Sequence, residues 1–245
     1  MHVSTMTEAT ELLRERHHEL LRLTLHRPAA ANAINRTIAM GLVQGLSEAM
    51  ADETVRAVVI TGAGHRVFCG GRDLKNPLKL DPDTLARERR EESVAYTEAL
   101  MAFEKPLVVA INGAAIGAGL MLALHADQVV AADHAFVSLP EVDIGIATFL
   151  GHTLVAELVG HSVANDLVLT GRRLTATEAK KRGLVHEVVP GSALLAAADA
   201  RARFLAAKPA ATFRSMKRWI LERRKTAVRA AFAAHDALDA DERPA

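Results

Sequence analysis

Residues 105–121 carry the first candidate for chemistry. An apolar run, Pro106-Leu107-Val108-Val109-Ala110-Ile111, meets Asn112-Gly113 and then runs through Gly117, Ala118 and Gly119 to Met121. Physically this is a strand, a turn and the first turn of a helix, with glycines where the backbone must bend or let another group come close. Such a helix start offers unpaired N–H groups at the positive end of the helix dipole, which suits a developing oxyanion. The same stretch would also serve as an ordinary tight connection. The spacing of Gly113, Gly117 and Gly119 does not fit a dinucleotide-binding fingerprint. Gly70-Gly71-Arg72-Asp73-Leu74 is a second place where glycine leaves backbone amides bare. The eleven histidines have no ligand spacing, so no metal is expected. Cys69, beside the glycine turn, has neighbours that suggest packing rather than nucleophilic attack.

The elements that must position these turns follow from periodicity. Residues 11–16 and 20–25 alternate as paired strands around a 17–19 turn. His26-Arg27-Pro28 breaks the second strand, and Asn35 can cap a helix whose apolar face is Ile38, Leu42, Leu46 and Met50. Residues 55–61 form a continuous β-branched run closed by Gly62, as in a strand buried on both faces. A mobile loop is expected over 76–83 and a charged helix over 84–103, ended by Pro106. Short strands are expected at 128–131, 135–138 and 185–189, and helices at 153–159, 162–170 and 177–182. From Ser192 the chain is alanine-rich and helical, broken at Pro209, and carries the one basic region.

At 245 residues, 50% hydrophobic and with mean hydropathy above zero, the chain is globular and can bury a sizeable core. A net charge of +1 and few aromatics argue against nucleic acid as a partner, and no apolar run reaches membrane-helix length. The single cysteine fits a reducing compartment and the N-terminus has no signal-peptide pattern, so a cytoplasmic protein is expected.

Several blocks in order resemble the crotonase family, that of enoyl-CoA hydratases and isomerases. They are Leu25-His26-Arg27-Pro28 with Asn32-Ala33-Ile34-Asn35; Val58 to Gly62; Phe68-Cys69-Gly70-Gly71-Arg72-Asp73-Leu74; Lys105 to Gly119; Ser138-Leu139-Pro140-Glu141 with Gly145; and Leu169-Thr170-Gly171 with Gly183-Leu184-Val185. The resemblance implies an α/β fold, a spiral of ββα units forming two sheets over residues 1–190. It implies a C-terminal helical region, 191–245, that builds homotrimers or hexamers.

It also implies the chemistry, stabilisation of a thioester enolate by two backbone N–H groups, placed by position at Gly70 and Ala118. The family has glycine at the second place, and alanine still supplies the donor if its φ is negative. Glu141 matches the second family glutamate, while the first falls on Met121, which transfers no proton. A hydratase needs two carboxylates around a water, whereas one carboxylate suffices to move a double bond, as in Δ3,Δ2-enoyl-CoA isomerases. A dienoyl-CoA isomerase would carry acids where Phe149 and Met121 stand. Asp143 and His152 are further pocket candidates, and His125 is read as a core histidine one turn beyond Met121. By resemblance, Arg27, Ala31, Ala33, Asp73, Leu74 and Lys217 contact the coenzyme A part of an acyl-CoA substrate, and no separate cofactor is implied.

Alternatives within the fold are an atypical hydratase, a hydrolase or a decarboxylase supported by histidine. Outside it stands a non-catalytic acyl-CoA-binding protein. A ClpP-like protease shares the architecture, but no serine stands at the central glycine turn to act as nucleophile.

Overall fold

A computed structural model describes residues 11–75 and 79–241. The chain opens with the expected hairpin, β1 (Leu12–His17) and β2 (Leu20–Leu25), antiparallel with Leu12 opposite Leu25. Helix α1 (Arg36–Ala51) starts where Asn35 accepts a hydrogen bond from the Ile38 N–H at 3.0 Å, and it buries Ile38, Leu42 and Leu46. Strand β3 (Ala57–Gly62) is buried along its whole length, as its β-branched run requires. Then come β4 (Val67–Cys69), α2 (Pro82–Ala102), β5 (Leu107–Ile111), β6 (Ala114–Ile116), α3 (Ala118–Leu124), β7 (Gln128–Ala132) and β8 (Phe136–Ser138). The remainder is α4 (Phe149–Val159), α5 (His161–Thr170), β9 (Leu174–Thr175), α6 (Ala176–Lys181), β10 (Glu187–Val189), α7 (Leu194–Ala206) and α8 (Ala210–Asp241).

Two sheets result, one ordered β1-β2-β3-β5-β7-β10 and one ordered β4-β6-β8-β9. The chain steps from the first to the second three times, β3 to β4, β5 to β6 and β7 to β8, and each step is followed by a helix. That repeat is the ββα spiral, an α/β fold. Parallel pairing buries both faces of β3 and β5, so their runs are apolar without alternation.

Several expectations needed correction. The stretch after Gly113 does not turn directly into a helix, because Ala114–Ile116 first forms β6 between β4 and β8. Strand β9 was not foreseen, and α4 starts at Phe149 rather than at residue 153. Part of the expected 76–83 loop lies outside the described residues, and its end is already helix from Pro82. Helix α7 buries Leu194, Ala198 and Ala202 against β3, β5 and β7, and α8 packs along α4. Among the described residues, no helix is long and apolar enough to cross a membrane.

Candidate active site

The second sheet brings the acid to the helix start. Strands β6 and β8 run parallel, Ala115 beside Val137 and Ile116 beside Ser138, and the Gly117 N–H donates to the Ser138 carbonyl at 3.0 Å. Leu139 and Pro140 then carry Glu141 alongside Gly117 and Ala118. Gly117 has φ +53°, and a Cβ there would lie 2.7 Å from Glu141 Oε1. Only glycine tolerates both that backbone and that approach. The carboxyl therefore rests over the residue just before the helix. Its other oxygen, Oε2, is buried with no hydrogen-bond partner among the described residues. Burial raises the Glu141 pKa above its ordinary value, opposed only by a backbone hydrogen bond. A base whose affinity for protons is raised by desolvation is suited to take one from carbon.

Ala118 is the first residue of α3 and has a right-handed backbone. Its N–H is one of the helix's orphan donors, since the first amide to close the helix is that of Met121, bonded to the Gly117 carbonyl at 3.0 Å. Alanine thus supplies this donor as well as glycine would.

The free amide of the glycine turn is not the one the sequence suggested. The Gly70 N–H is spent on the Ala31 carbonyl at 2.8 Å. Two residues on, Ile34 pairs in parallel with Arg72: the Ile34 N–H donates to the Gly71 carbonyl at 2.8 Å and the Asp73 N–H to the Ile34 carbonyl at 2.9 Å. In a trans peptide the Gly71 C=O and the Arg72 N–H point in opposite directions. The Arg72 N–H therefore points away from Ile34, and it makes no hydrogen bond among the described residues. Gly71, at φ +101°, adjoins the helix start, for a Cβ on it would lie 3.2 Å from the Ile116 carbonyl oxygen and 3.8 Å from the Ala118 nitrogen. Arg72, which sequence reasoning missed, replaces Gly70 as the free amide of this turn.

Met121 is buried, and its methyl group points at Gly151 of α4; a Cβ built there would be 3.1 Å from it and 2.6 Å from Thr148 Oγ1. Thr148 was also missed. It precedes α4, yet its hydroxyl makes no capping bond and is buried without a partner among the described residues. Thus a lone hydroxyl sits beside Met121.

Other candidates lie elsewhere. The Asp143 carboxylate turns to Gly171, where a Cβ would be 2.7 Å from its Oδ2, and not to Gly117. Phe149 stands edge-on to His235 of α8 at 6.2 Å, so it joins α4 to the C-terminal helix instead of facing Glu141. The His152 Nε2 meets Asn165 Oδ1 at 2.9 Å and its ring lies 5.7 Å from that of His161, on the α4–α5 surface. His125 is buried as expected; desolvation, helped by the Arg224 charge, pushes its pKa down to about 3, so it is neutral. The Cys69 thiol is buried under the glycine turn, its Sγ 3.7 Å from the Gly71 carbonyl, and burial pushes its pKa up to about 12.

Of the expected coenzyme contacts, Arg27, Ala31, Ala33 and Asp73 cluster at the glycine turn. Arg27 bridges Glu11 at 2.8 Å and Asp73 at 2.9 Å and donates to the Ala33 carbonyl, so these charges first hold the loop to the turn. Leu74 beside them is exposed. Lys217 is corrected outright: it is 4% exposed, and its ammonium donates to Asp127 Oδ2 and to the Lys105 carbonyl, both at 2.7 Å. It cannot also meet a phosphate. Replacing Lys217 by Met should take from Asp127 its ion-pair partner, leaving it the Leu107 N–H and the charge of Arg224, and cost about 3 kcal/mol of stability, with acyl-CoA affinity unchanged. Thermal unfolding beside calorimetric titration would check this. A variant that melts normally but binds more weakly would restore the phosphate role.

Residues 15–240 match the family described as Enoyl-CoA hydratase/isomerase. The chain is 41% identical over 187 residues to the 2,3-dehydroadipyl-CoA hydratase of Escherichia coli K12, covering 76% of this chain and 72% of the relative. It is 37% identical over 202 residues to a carnitinyl-CoA dehydratase of Salmonella arizonae, covering 82% and 75%. Among solved structures, DspI of Pseudomonas aeruginosa superposes with a TM-score of 0.83 at 30% identity over 98% of both chains.

Proposed function

The chain belongs to the enoyl-CoA hydratase/isomerase family, whose members act on acyl-CoA thioesters, and from that premise we propose that it moves a carbon–carbon double bond using one carboxylate. The observation that carries the proposal is the Glu141 carboxyl, desolvated and pressed on Gly117 beside the free Ala118 amide, with Met121 where a second acid would stand. The Ala118 and Arg72 N–H groups take the thioester oxygen as it gains charge; loss of one such donor costs about 3 kcal/mol of barrier. Glu141 removes a proton at one carbon, holds it, and returns it two carbons away. Arg27, Asp73 and the 31–33 backbone shape the side of the turn that coenzyme A approaches.

A second reading, hydration, is favoured by one feature. The buried Thr148 hydroxyl beside Met121 is a polar group without a partner among the described residues, and the relatives named above are a hydratase and a dehydratase. A hydroxyl is too weak an acid or base to stand in for the missing carboxylate at neutral pH, so hydration here would run with Glu141 alone. Incubating the protein with 2-enoyl-, 3-enoyl- and 3-hydroxyacyl-CoA, followed by chromatography that resolves the isomers and by mass spectrometry, separates the two. Conversion of 3-enoyl to 2-enoyl thioester at constant mass is expected. Gain of one water by the 2-enoyl thioester as the faster reaction would overturn isomerisation.

Assembly is part of the proposal. Helix α8 exposes Met216, Trp219 and Ile220, at positions i, i+3 and i+4 of one face, and further copies of this chain would cover them in a trimer or hexamer. Light scattering at micromolar concentration should return a multiple of three; a monomer would refute it.

A further inference from the structure

Arg72 has two uses that are usually kept apart. Its N–H is the free amide of the glycine turn, and its side chain runs the other way into α2. There the guanidinium donates to Ser93 Oγ at 2.8 Å, to the Arg89 carbonyl at 2.7 Å and to Glu92 Oε2 at 2.7 Å. Both partners are removed from water, with side-chain exposures of 15% for Arg72 and 8% for Glu92. Glu92 also faces Arg36 at 3.6 Å, and Tyr96 lies buried one turn further along α2. A planar guanidinium held at three points by one helix has almost no freedom left.

That rigidity answers a specific weakness. The peptide joining Gly71 to Arg72 carries the donor, and Gly71 at φ +101° is the residue about which that peptide can most easily rock. The Ile34 pairing steadies it from one side only. We infer that the buried Arg72–Glu92 pair is a positioning device: Glu92 and Ser93, on α2, act on the reaction by holding the Arg72 main chain so that its N–H stays aimed at the thioester oxygen. Neither residue touches substrate. The inference rests on the reading that the Arg72 amide is an oxyanion donor. A bare structural ion pair would make a different prediction, since it would affect folding and binding alike.

Exchange of the α-protons of butyryl-CoA in deuterated water, followed by NMR, tests this, because exchange requires enolate formation and nothing later. The S-butyl thioether of coenzyme A, which has no carbonyl, reports binding that the donor cannot influence. Glu92→Gln should slow exchange at least about tenfold, short of the hundredfold or more that outright loss of a donor costs, with thioether affinity unchanged. Ser93→Ala, which removes one anchor of three, should slow it about threefold and keeps the test alive if Glu92→Gln fails to fold. Unchanged exchange in the folded variants would overturn this inference alone. So would exchange, thioether affinity and melting temperature falling together. Absence of exchange in the unaltered protein would overturn the enolate reading, and this inference with it.

Discussion

Replacing Glu141 by Gln should lower turnover by at least about a hundredfold while acyl-CoA binding survives, because the amide keeps the size of the carboxyl and loses the base. The same variant should be more stable than the unaltered protein at pH values where Glu141 is ionised. Burial raises the Glu141 pKa in the folded state above its value in the unfolded chain. A group raised in this way adds stability that is fully present below its unfolded pKa and is lost as pH rises through the folded pKa. Once ionised, Glu141 is a desolvated charge with an unpartnered oxygen, and glutamine removes that charge. Turnover runs the other way. The base works only when ionised, so kcat/KM should rise with pH through an inflection above the usual carboxylate range. Melting curves of the two proteins at neutral and acid pH, beside a pH–rate profile, check both halves. Equal turnover in the folded variant would remove Glu141 from the mechanism.

The second large effect is expected at Gly117. Alanine there must hold φ near +53° and place its methyl 2.7 Å from Glu141 Oε1, so either the carboxyl or the helix start has to move. Displacement of a reacting group by about 1 Å costs on the order of a hundredfold in rate, and Gly117→Ala should show a loss of that size in kcat. At φ +53° and ψ −123° the backbone is one that glycine alone adopts readily, and holding alanine there adds roughly 1–3 kcal/mol of destabilisation. Ala118→Gly, one residue on, keeps the amide and should change kcat little. Steady-state kinetics on the pair would decide, and full activity in a folded Gly117→Ala protein would contradict the contact between Gly117 and Glu141.

Much of the scaffold was legible because its signals are local. Asn35 three residues before Ile38, the β-branched run of β3 and the proline after α2 each act within a few residues of where they stand. Strands β6 and β9, three and two residues long, owe their existence to neighbours distant in sequence, so nothing within them announces a strand. The glycine turn was legible as a turn, but which amide stays free depends on peptide planes set by Ile34 and Ala31, and composition carries no record of that. Lys217 was misread for another reason. It was placed on coenzyme A by resemblance, while Lys217, Leu221, Val228 and Ala231 recur at helical spacing and are all buried. That stripe was in the sequence and would have placed the lysine inward.

Cys69 gives the molecule a clock of its own. It is the chain's only thiol, it lies under the turn that carries the Arg72 amide, and at a pKa of about 12 it is protonated at any physiological pH. A water-borne alkylating reagent can therefore reach it only in the moments when that turn has lifted off β6 or the whole chain has opened. At reagent concentrations where trapping is slower than reclosing, the labelling rate divided by that of a free thiol is the fraction of time spent open. Saturating acyl-CoA, if it seats against this turn, should slow the clock by the same factor that it stabilises the closed state.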